Sequence, residues 1–335
     1  MSYRGLSYSD PRPFETLVPP SRPGSLPPMV TKAPTSAQGT TRAGFVLLAG
    51  LPNAGKSTLL NQVVGESLSI VTPKAQTTWQ RVAGIRSEEA TQMVFLDTPG
   101  VLVPGSLMQR SMMAEVVRAS DDADVAVWVV DGTRRLQDAE VQLLKSCFDK
   151  VECPSAVVAA KSDSPGHDPG QAFELAATWG AEALSVSGLD GRGVESLLAW
   201  IRAGLPESPF LYDADDLASA PTRFFVEELV RETVFEQYHQ EIPYAAVVRI
   251  DEFREQQDPV YIGATVYVER KSQKGIVVGK AGSGIKALGR EARRKIEHFL
   301  GRSVYLDLWV KVWPGWRRKR EGLQTLGFVV PDEPE

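Results

Sequence analysis

The apolar positions of this chain follow two different rhythms. From Phe45 onward, short continuous apolar runs alternate with helical stretches. Strands are expected at Phe45–Ala49, Met93–Leu96, Val125–Val130 and Ala156–Ala160, with a weaker one near Ala183–Val186. Helices are expected between them, at Thr58–Val64, Ser106–Ala119 and Asp138–Phe148. Continuous apolar runs separated by helices imply an α/β domain with a mostly parallel sheet covered on both faces. Beyond Gly204–Pro221, a stretch of Pro, Asp, Ser and Ala, the rhythm changes. Arg223–Tyr238 repeats Phe225, Leu229, Val230 and Val234 on one helical face, which suits a core-facing helix better than a membrane-surface one. Tyr244–Phe253 and Val260–Arg270 read as strands. In residues 304–312, Val304, Leu306, Leu308, Val310 and Val312 alternate with Tyr305, Asp307, Trp309 and Lys311, the pattern of a strand buried on one face. Short helical segments around Gly284–Leu288 and Glu291–Leu300 precede it, so the order helix-strand-strand-helix-helix-strand describes a small α+β domain. The division is a tail (1–42), an α/β domain (43–206), a linker (207–220) and the α+β domain (221–330).

Charge sharpens that division. The net charge is only −5, yet residues 270–320 hold 15 Lys+Arg against 3 Asp+Glu. One domain is therefore suited to a polyanion while the rest is acidic. The tail, with eight prolines among its first forty residues, reads as a disordered Pro/Ser/Thr-rich segment. A transit peptide is the competing reading, against which stand the proline density, Asp10 and Glu15. Cys147 and Cys153 are too few and too badly spaced for a zinc site or a disulfide framework, and fit a reducing, cytoplasmic compartment. No apolar run spans a bilayer, so any membrane contact is peripheral, at the inner membrane. His167, His239 and His298 lie in different segments and form no Ser-His-Asp or Cys-His arrangement.

The chemistry begins at Gly50-Leu51-Pro52-Asn53-Ala54-Gly55-Lys56-Ser57, followed by Thr58 and a helical stretch. This is G-x-x-x-x-G-K-[ST] between a strand and a helix. Its backbone N–H groups cradle phosphate oxygens, Lys56 reaches the outer phosphates and the Ser57 hydroxyl ligates Mg²⁺. Asp97-Thr98-Pro99-Gly100 follows the second core strand, where Asp97 holds Mg²⁺ through water and the Gly100 N–H meets a γ-phosphate. Ala160-Lys161-Ser162-Asp163 ends a later strand. The Asp163 carboxylate accepts the N1–H and exocyclic N–H of guanine, a bidentate pair adenine cannot offer, while Lys161 lies along base and P-loop. Ser187-Gly188 presents a backbone N–H to the guanine O6. The ligand is GTP or GDP.

This set, with Gln76-Thr77-Thr78 between P-loop and D-x-x-G and with Leu308-Trp309-Val310-Lys311-Val312 and Gly315-Trp316 further on, resembles the Era family of ribosome-associated GTPases. The resemblance covers roughly Gly44 to Val330. It implies a Ras-like GTPase domain followed by a type II KH domain, binding to the 3′ end of small-subunit ribosomal RNA and to the 30S-type subunit, and a role in its assembly and maturation. No DNA partner is expected. It makes Thr78, beside Thr77, the switch I threonine that joins Ser57 on Mg²⁺. It also likens Asn53 to a residue that helps hold K⁺ in related GTPases; a simple brace for the loop is the alternative reading.

Three positions depart from familiar patterns. Ala160 replaces the Asn of the family's guanine motif, which predicts weaker nucleotide binding with guanine preference kept. Trp79 replaces the Arg after the paired threonines. Val101 follows Gly100 where Ras has a water-orienting glutamine, so intrinsic hydrolysis is expected to be slow.

In the basic segment, Ile276-Val277-Val278-Gly279-Lys280-Ala281-Gly282 carries G-x-x-G between an apolar stretch and a helix. In a KH fold that loop clamps about four nucleotides, with Lys280 offering charge. Lys286, Arg290, Arg293, Arg294 and Lys295 extend the basic face by helical spacing. Trp313 and Trp316 suit packing as well as stacking. The reading is a GTPase that couples nucleotide state to RNA binding; the alternative is a nucleotide-sensing RNA-binding adaptor with negligible turnover.

Overall fold

Residues 40–332, which the computed structural model describes, build two sheets with separate cores. The expected tail lies outside the described residues except for its last three positions, of which Arg42 already opens the first strand. The six-stranded sheet comprises β1 (Arg42–Ala49), β2 (Val82–Ser87), β3 (Thr91–Asp97), β4 (Val125–Asp131), β5 (Ser155–Ala160) and β6 (Glu182–Ser185) in the order β2-β3-β1-β4-β5-β6. All neighbours are parallel except β2, antiparallel to β3. Helices α1 (Lys56–Val64), α2 (Leu107–Asp122), α3 (Asp138–Phe148), α4 (Gly170–Trp179) and α5 (Val194–Gly204) cover both faces. The chain leaves β1 for β3 on one side and meets β4 on the other, so the crevice at the carboxyl end of β1 is the natural ligand position.

The strand β2 gave no signal in the hydrophobic pattern. Gly84 sits at its centre because α1 passes close: a Cβ there would fall 2.8 Å from Leu60 Cδ1 and Val64 Cγ2. That glycine, with Arg86, breaks the apolar run. The segment read as a linker is laid across the outer edge of β2, where Ile85 N–H donates to Leu217 O (2.8 Å) and Ser219 N–H to Ala83 O (3.3 Å). An otherwise open edge strand is thereby covered.

The second sheet has β7 (Val247–Arg254) antiparallel to β8 (Val260–Val268), which is parallel to β9 (Val304–Val312). One face is covered by α6 (Thr222–Gln237), α8 (Lys271–Val278) and α9 (Ser283–Leu300). The face of α6 expected to point at the core does so, with Phe225, Val226, Val230 and Val234 buried. The strand expected from Tyr244 starts at Val247 instead, because Pro243 opens the short helix α7 (Ile242–Ala245). The two helices expected at 284–288 and 291–300 are one, α9, whose Ile285, Leu288, Ala292 and Ile296 keep helical spacing throughout. The second helix of the pair is α8, formed from the apolar stretch before the G-x-x-G, so the loop lies between two helices. A last helix, α10 (Arg320–Thr325), packs its Leu323 with Trp316, Trp79, Met112 and Phe235, a cluster joining the two halves of the molecule. Among the described residues no helix is long and apolar enough to cross a membrane.

Candidate functional site

The loop from Gly50 to Ser57 turns off the end of β1. A Cβ on Gly50 would fall 2.2 Å from Val129 O, so only glycine lets β1 turn here against β4. Lys56 is buried beneath the loop and its Nζ donates to Gly50 O (3.2 Å) and Leu51 O (3.0 Å). Burial pushes its pKa down to about 8, with the Asp97 charge pulling the other way. The Ser57 hydroxyl donates to Asp97 Oδ2 (2.7 Å) and lies 3.1 Å from Thr78 Oγ1, which itself lies 3.4 Å from Asp97 Oδ2. Asp97 is fully buried; desolvation raises its pKa, opposed by Lys56 and the hydroxyls. Its second oxygen, Oδ1, is buried without a hydrogen-bond partner. Two hydroxyls and a carboxylate with a spare oxygen form a hard-oxygen donor set, which fits Mg²⁺. Thr98 Oγ1 donates to Leu48 O (2.8 Å), Gly100 rests against Pro52, and Val101 N–H donates to Gly50 O (2.9 Å). The Val101 side chain is fully buried, so it carries no group toward water at this end of the sheet. Asn53 Nδ2 donates to Pro73 O (3.1 Å), tying the P-loop to the segment before Thr78.

The other end of the crevice is built by β5 and the loop after β6. Ala160 is buried, and a Cβ on Gly55 would lie 3.5 Å from its methyl group, so only carbon faces the P-loop here. Lys161 has a left-handed backbone (φ 65°) and its Nζ bonds Asp131 Oδ2 (2.6 Å). Burial raises the Asp131 pKa, but Lys161 and the Thr133 N–H and hydroxyl outweigh it and hold it low. The strand end Asp131-Gly132-Thr133 was missed by sequence reasoning, although a carboxylate closing a core strand beside Lys161 was its signal. Ser162 N–H donates to Val186 O (3.0 Å). The Ser187 hydroxyl donates to Asp163 Oδ1 (2.7 Å) and accepts from the Leu189 and Asp190 N–H groups (both 3.1 Å), aiming the carboxylate. Its bond lowers the Asp163 pKa, keeping an ionised acceptor at the crevice rim. Gly188 packs against the start of α1, where a Cβ would fall 2.9 Å from Leu59 N.

The segment between the P-loop and β2 reaches into the second domain, which sequence reasoning did not foresee. Lys74 Nζ donates to the carbonyls of Phe235 and Tyr238 at the carboxyl end of α6. Thr77 O accepts from Arg231 Nη2 (2.6 Å), and the Arg231 guanidinium stacks on the Trp79 ring at 4.4 Å. Trp79 is itself buried against Phe235, Trp316 and Phe328. Tyr238, the residue that ends α6, donates its hydroxyl to Val277 O (3.0 Å), two residues before the G-x-x-G. Lys295 of α9 bridges Glu232 and Glu236 of α6 (2.7 Å each), so it binds the helices together rather than extending the basic face.

Gly279 has φ 70°, and a Cβ there would fall 2.6 Å from Gly284 N, so the loop closes tightly onto the start of α9. Ala281 takes a left-handed conformation (φ 50°) with Lys280 and Ala281 both exposed, and Gly282 caps α9. Lys286, Arg290, Arg293 and Arg294 are exposed along α9; Arg294 pairs with Glu291 (2.6 Å) and Arg293 approaches Glu297 (4.0 Å). Trp316 is fully buried, a packing residue, and Arg317 is held by Glu269.

Comparisons with known proteins agree with this division. Residues 45–161 match the family described as 50S ribosome-binding GTPase, and residues 241–317 match the KH domain. The GTPase Era of Leuconostoc citreum is 37% identical over 297 residues, covering 87% of this chain and 98% of the relative. That of Dinoroseobacter shibae is 38% identical over 305 residues, 89% and 99% of the two chains. Two solved structures match with a TM-score of 0.80 at 33% identity, over 86% of this chain and 99% of theirs. One is a variant of Aquifex aeolicus Era bound to GDP and AlF4⁻; the other is Era in complex with MgGDPNP and nucleotides 1506–1542 of 16S ribosomal RNA.

Proposed function

The chain belongs to the Era family of GTPases, and from that premise we propose that it hydrolyses GTP slowly, binds the 3′ end of small-subunit rRNA through its KH domain, and serves assembly and maturation of that subunit. The observation that carries the reading is the meeting of Ser57, Thr78 and Asp97 beneath the P-loop, on a segment whose other end is held by α6 of the KH domain.

In this reading Lys56 leaves its two carbonyl partners for the outer phosphates, and Asp163, aimed by Ser187, takes the guanine edge. The Ser187-Gly188 backbone meets the guanine O6, and Lys161, anchored by Asp131, lines the base. Ser57 and Thr78, with Asp97 through water, hold Mg²⁺, which offsets charge developing on the phosphates. Asn53 serves a K⁺ site through its amide oxygen, its nitrogen being engaged by Pro73. Thr77 and Thr78 order when a γ-phosphate is present and pull on Arg231. The Lys280 loop, with Lys286, Arg290, Arg293 and Arg294 along α9, receives the RNA backbone. The partner is the 30S-type subunit, with any membrane contact peripheral.

The buried Val101 also favours a second reading, an RNA-binding adaptor that senses nucleotide without turning it over. Phosphate release from GTP and from ATP, in K⁺ and in Na⁺, separates the two. Slow release from GTP alone, faster in K⁺ and lost in Ser57→Ala, is expected. Tight GTP binding with no release in any condition, RNA included, would establish the adaptor.

A further inference from the structure

One face of the KH sheet lies under α6, α8 and α9; the opposite face is only half covered. At one end Trp316 and Trp313 pack over Val247 and Tyr267. At the other end Tyr261 of β8 is half-buried, while Tyr305 and Trp309 of β9 stay on the surface, 58% and 59% exposed. Neighbouring open aromatics of this size mark an interaction site.

These rings are fixed in place. Tyr261 and Tyr305 stack at 5.8 Å with only 15° between their planes. Asp307 lies among them, its Oδ2 accepting from Trp309 Nε1 (3.1 Å) and from the Tyr261 hydroxyl (3.4 Å). Its register partner on β8 is Gly263, so no side chain fills the middle of the group. The carboxylate oxygen is engaged by two ring donors, while Lys311 stays exposed on the same row of β9.

The position of this group identifies the occupant. Within the three-stranded sheet β9 pairs only with β8, and its Leu308 lies against Gly289 of α9, the helix that the G-x-x-G loop begins. RNA continuing from that loop past the free edge of β9 would reach the aromatic face. The surrounding segment, residues 270–320, carries 15 Lys+Arg against 3 Asp+Glu. We propose that this sheet face is a stacking platform for unpaired RNA bases beyond those held at the G-x-x-G loop, with Tyr305 and Trp309 each offering a ring face to a base and Lys311 a charge to the intervening phosphate. Every base has a π-face, so the platform adds length-dependent affinity with little sequence demand. The proposal rests on the RNA-binding reading above.

The test compares RNA fragments of about four and about ten nucleotides from the 3′ end of small-subunit rRNA, titrated onto the full chain. Wild type should bind the longer fragment more tightly. The double variant Tyr305→Ala/Trp309→Ala should bind the short fragment as wild type does and lose about fivefold or more of affinity for the long one. Trp309→Phe in a Tyr305 background should keep most of the gain. Both side chains are more than half exposed, so wild-type melting temperatures are expected. An unchanged gain with length in the double variant would overturn the proposal. So would loss of binding to intact small subunits with naked RNA unaffected, since the face would then dock protein. Short-fragment binding that ignores Lys280→Asp/Ala281→Asp would instead sink the loop reading, and is scored separately.

Discussion

Ala160 is the residue at which this chain departs most tellingly from its relatives' chemistry. A methyl group faces the P-loop where an amide would bond both the loop and the base. Ala160→Asn should therefore tighten GDP binding by about 1 kcal/mol, roughly fivefold, in a fluorescent-nucleotide titration. Asp163→Asn should do the reverse, since a neutral amide offers the guanine edge one acceptor; losing charged hydrogen bonds costs about 2 kcal/mol or more and erases preference over inosine nucleotides. Burial also pushes the Cys153 thiol up to about 11. At pH 8 the native protein should accordingly alkylate at Cys153 about two orders of magnitude more slowly than free cysteine. At this scale the sequence singled out, through motifs of fixed spacing, Lys56, Ser57, Asp97 and Asp163, which the fold gathers along one crevice. It was silent where partners come from elsewhere in the chain: nothing in the spacing ties Lys161 to Asp131, or Thr77 to Arg231.

Among elements, the segment from Val71 to Gln80 links the P-loop end of the first sheet to the second domain. It touches the Ser57 and Asp97 oxygens through Thr78, α6 through Lys74 and Thr77, and the interdomain cluster through Trp79. Trp79 stands where the family has Arg, and here the cation comes from the other domain, as Arg231 stacked on the indole. Trp79→Ala should destabilise the protein by about 3–5 kcal/mol, visible as a lower melting temperature. If the segment couples the sites, GTP-analogue and GDP forms of wild type should differ in RNA affinity by about 5- to 150-fold. Arg231→Ala should shrink that difference toward unity. An undiminished difference would place the coupling elsewhere. Element boundaries were legible for long periodic pieces such as α6 and β9. They failed at β2, where Gly84 yields to α1, and at α8, whose apolar end resembles a strand.

For the whole molecule, the two domains enclose a cavity of about 210 Å³ whose lining includes Glu115, Glu227, Arg81 and Arg249. Burial raises the pKa of both glutamates, against the pull of the arginines. A carboxyl raised in the folded state binds protons more readily there than when unfolded. Its stabilising contribution is present at low pH and is lost as pH rises through the raised value. Glu115→Gln/Glu227→Gln should accordingly flatten the fall in melting temperature as pH rises above the ordinary glutamate range, relative to wild type. The Ras-like and KH character of the two domains came from the family resemblance. The acidic first domain and the basic 270–320 segment were visible in the charge pattern, and an α/β domain followed by a small α+β domain was legible in the two rhythms of apolar residues. The contact between the domains was not, because Trp79, Phe235 and Trp316 are far apart in sequence and carry no shared period.

The central claim is that RNA at the KH domain and GTP at the P-loop report to each other. Single-turnover GTP hydrolysis in K⁺, with and without the 3′-end RNA, tests it most directly. The account predicts slow hydrolysis, accelerated by RNA in wild type and not in Lys280→Asp/Ala281→Asp. Equal rates with and without RNA, under conditions where the RNA is shown to be bound, would contradict it.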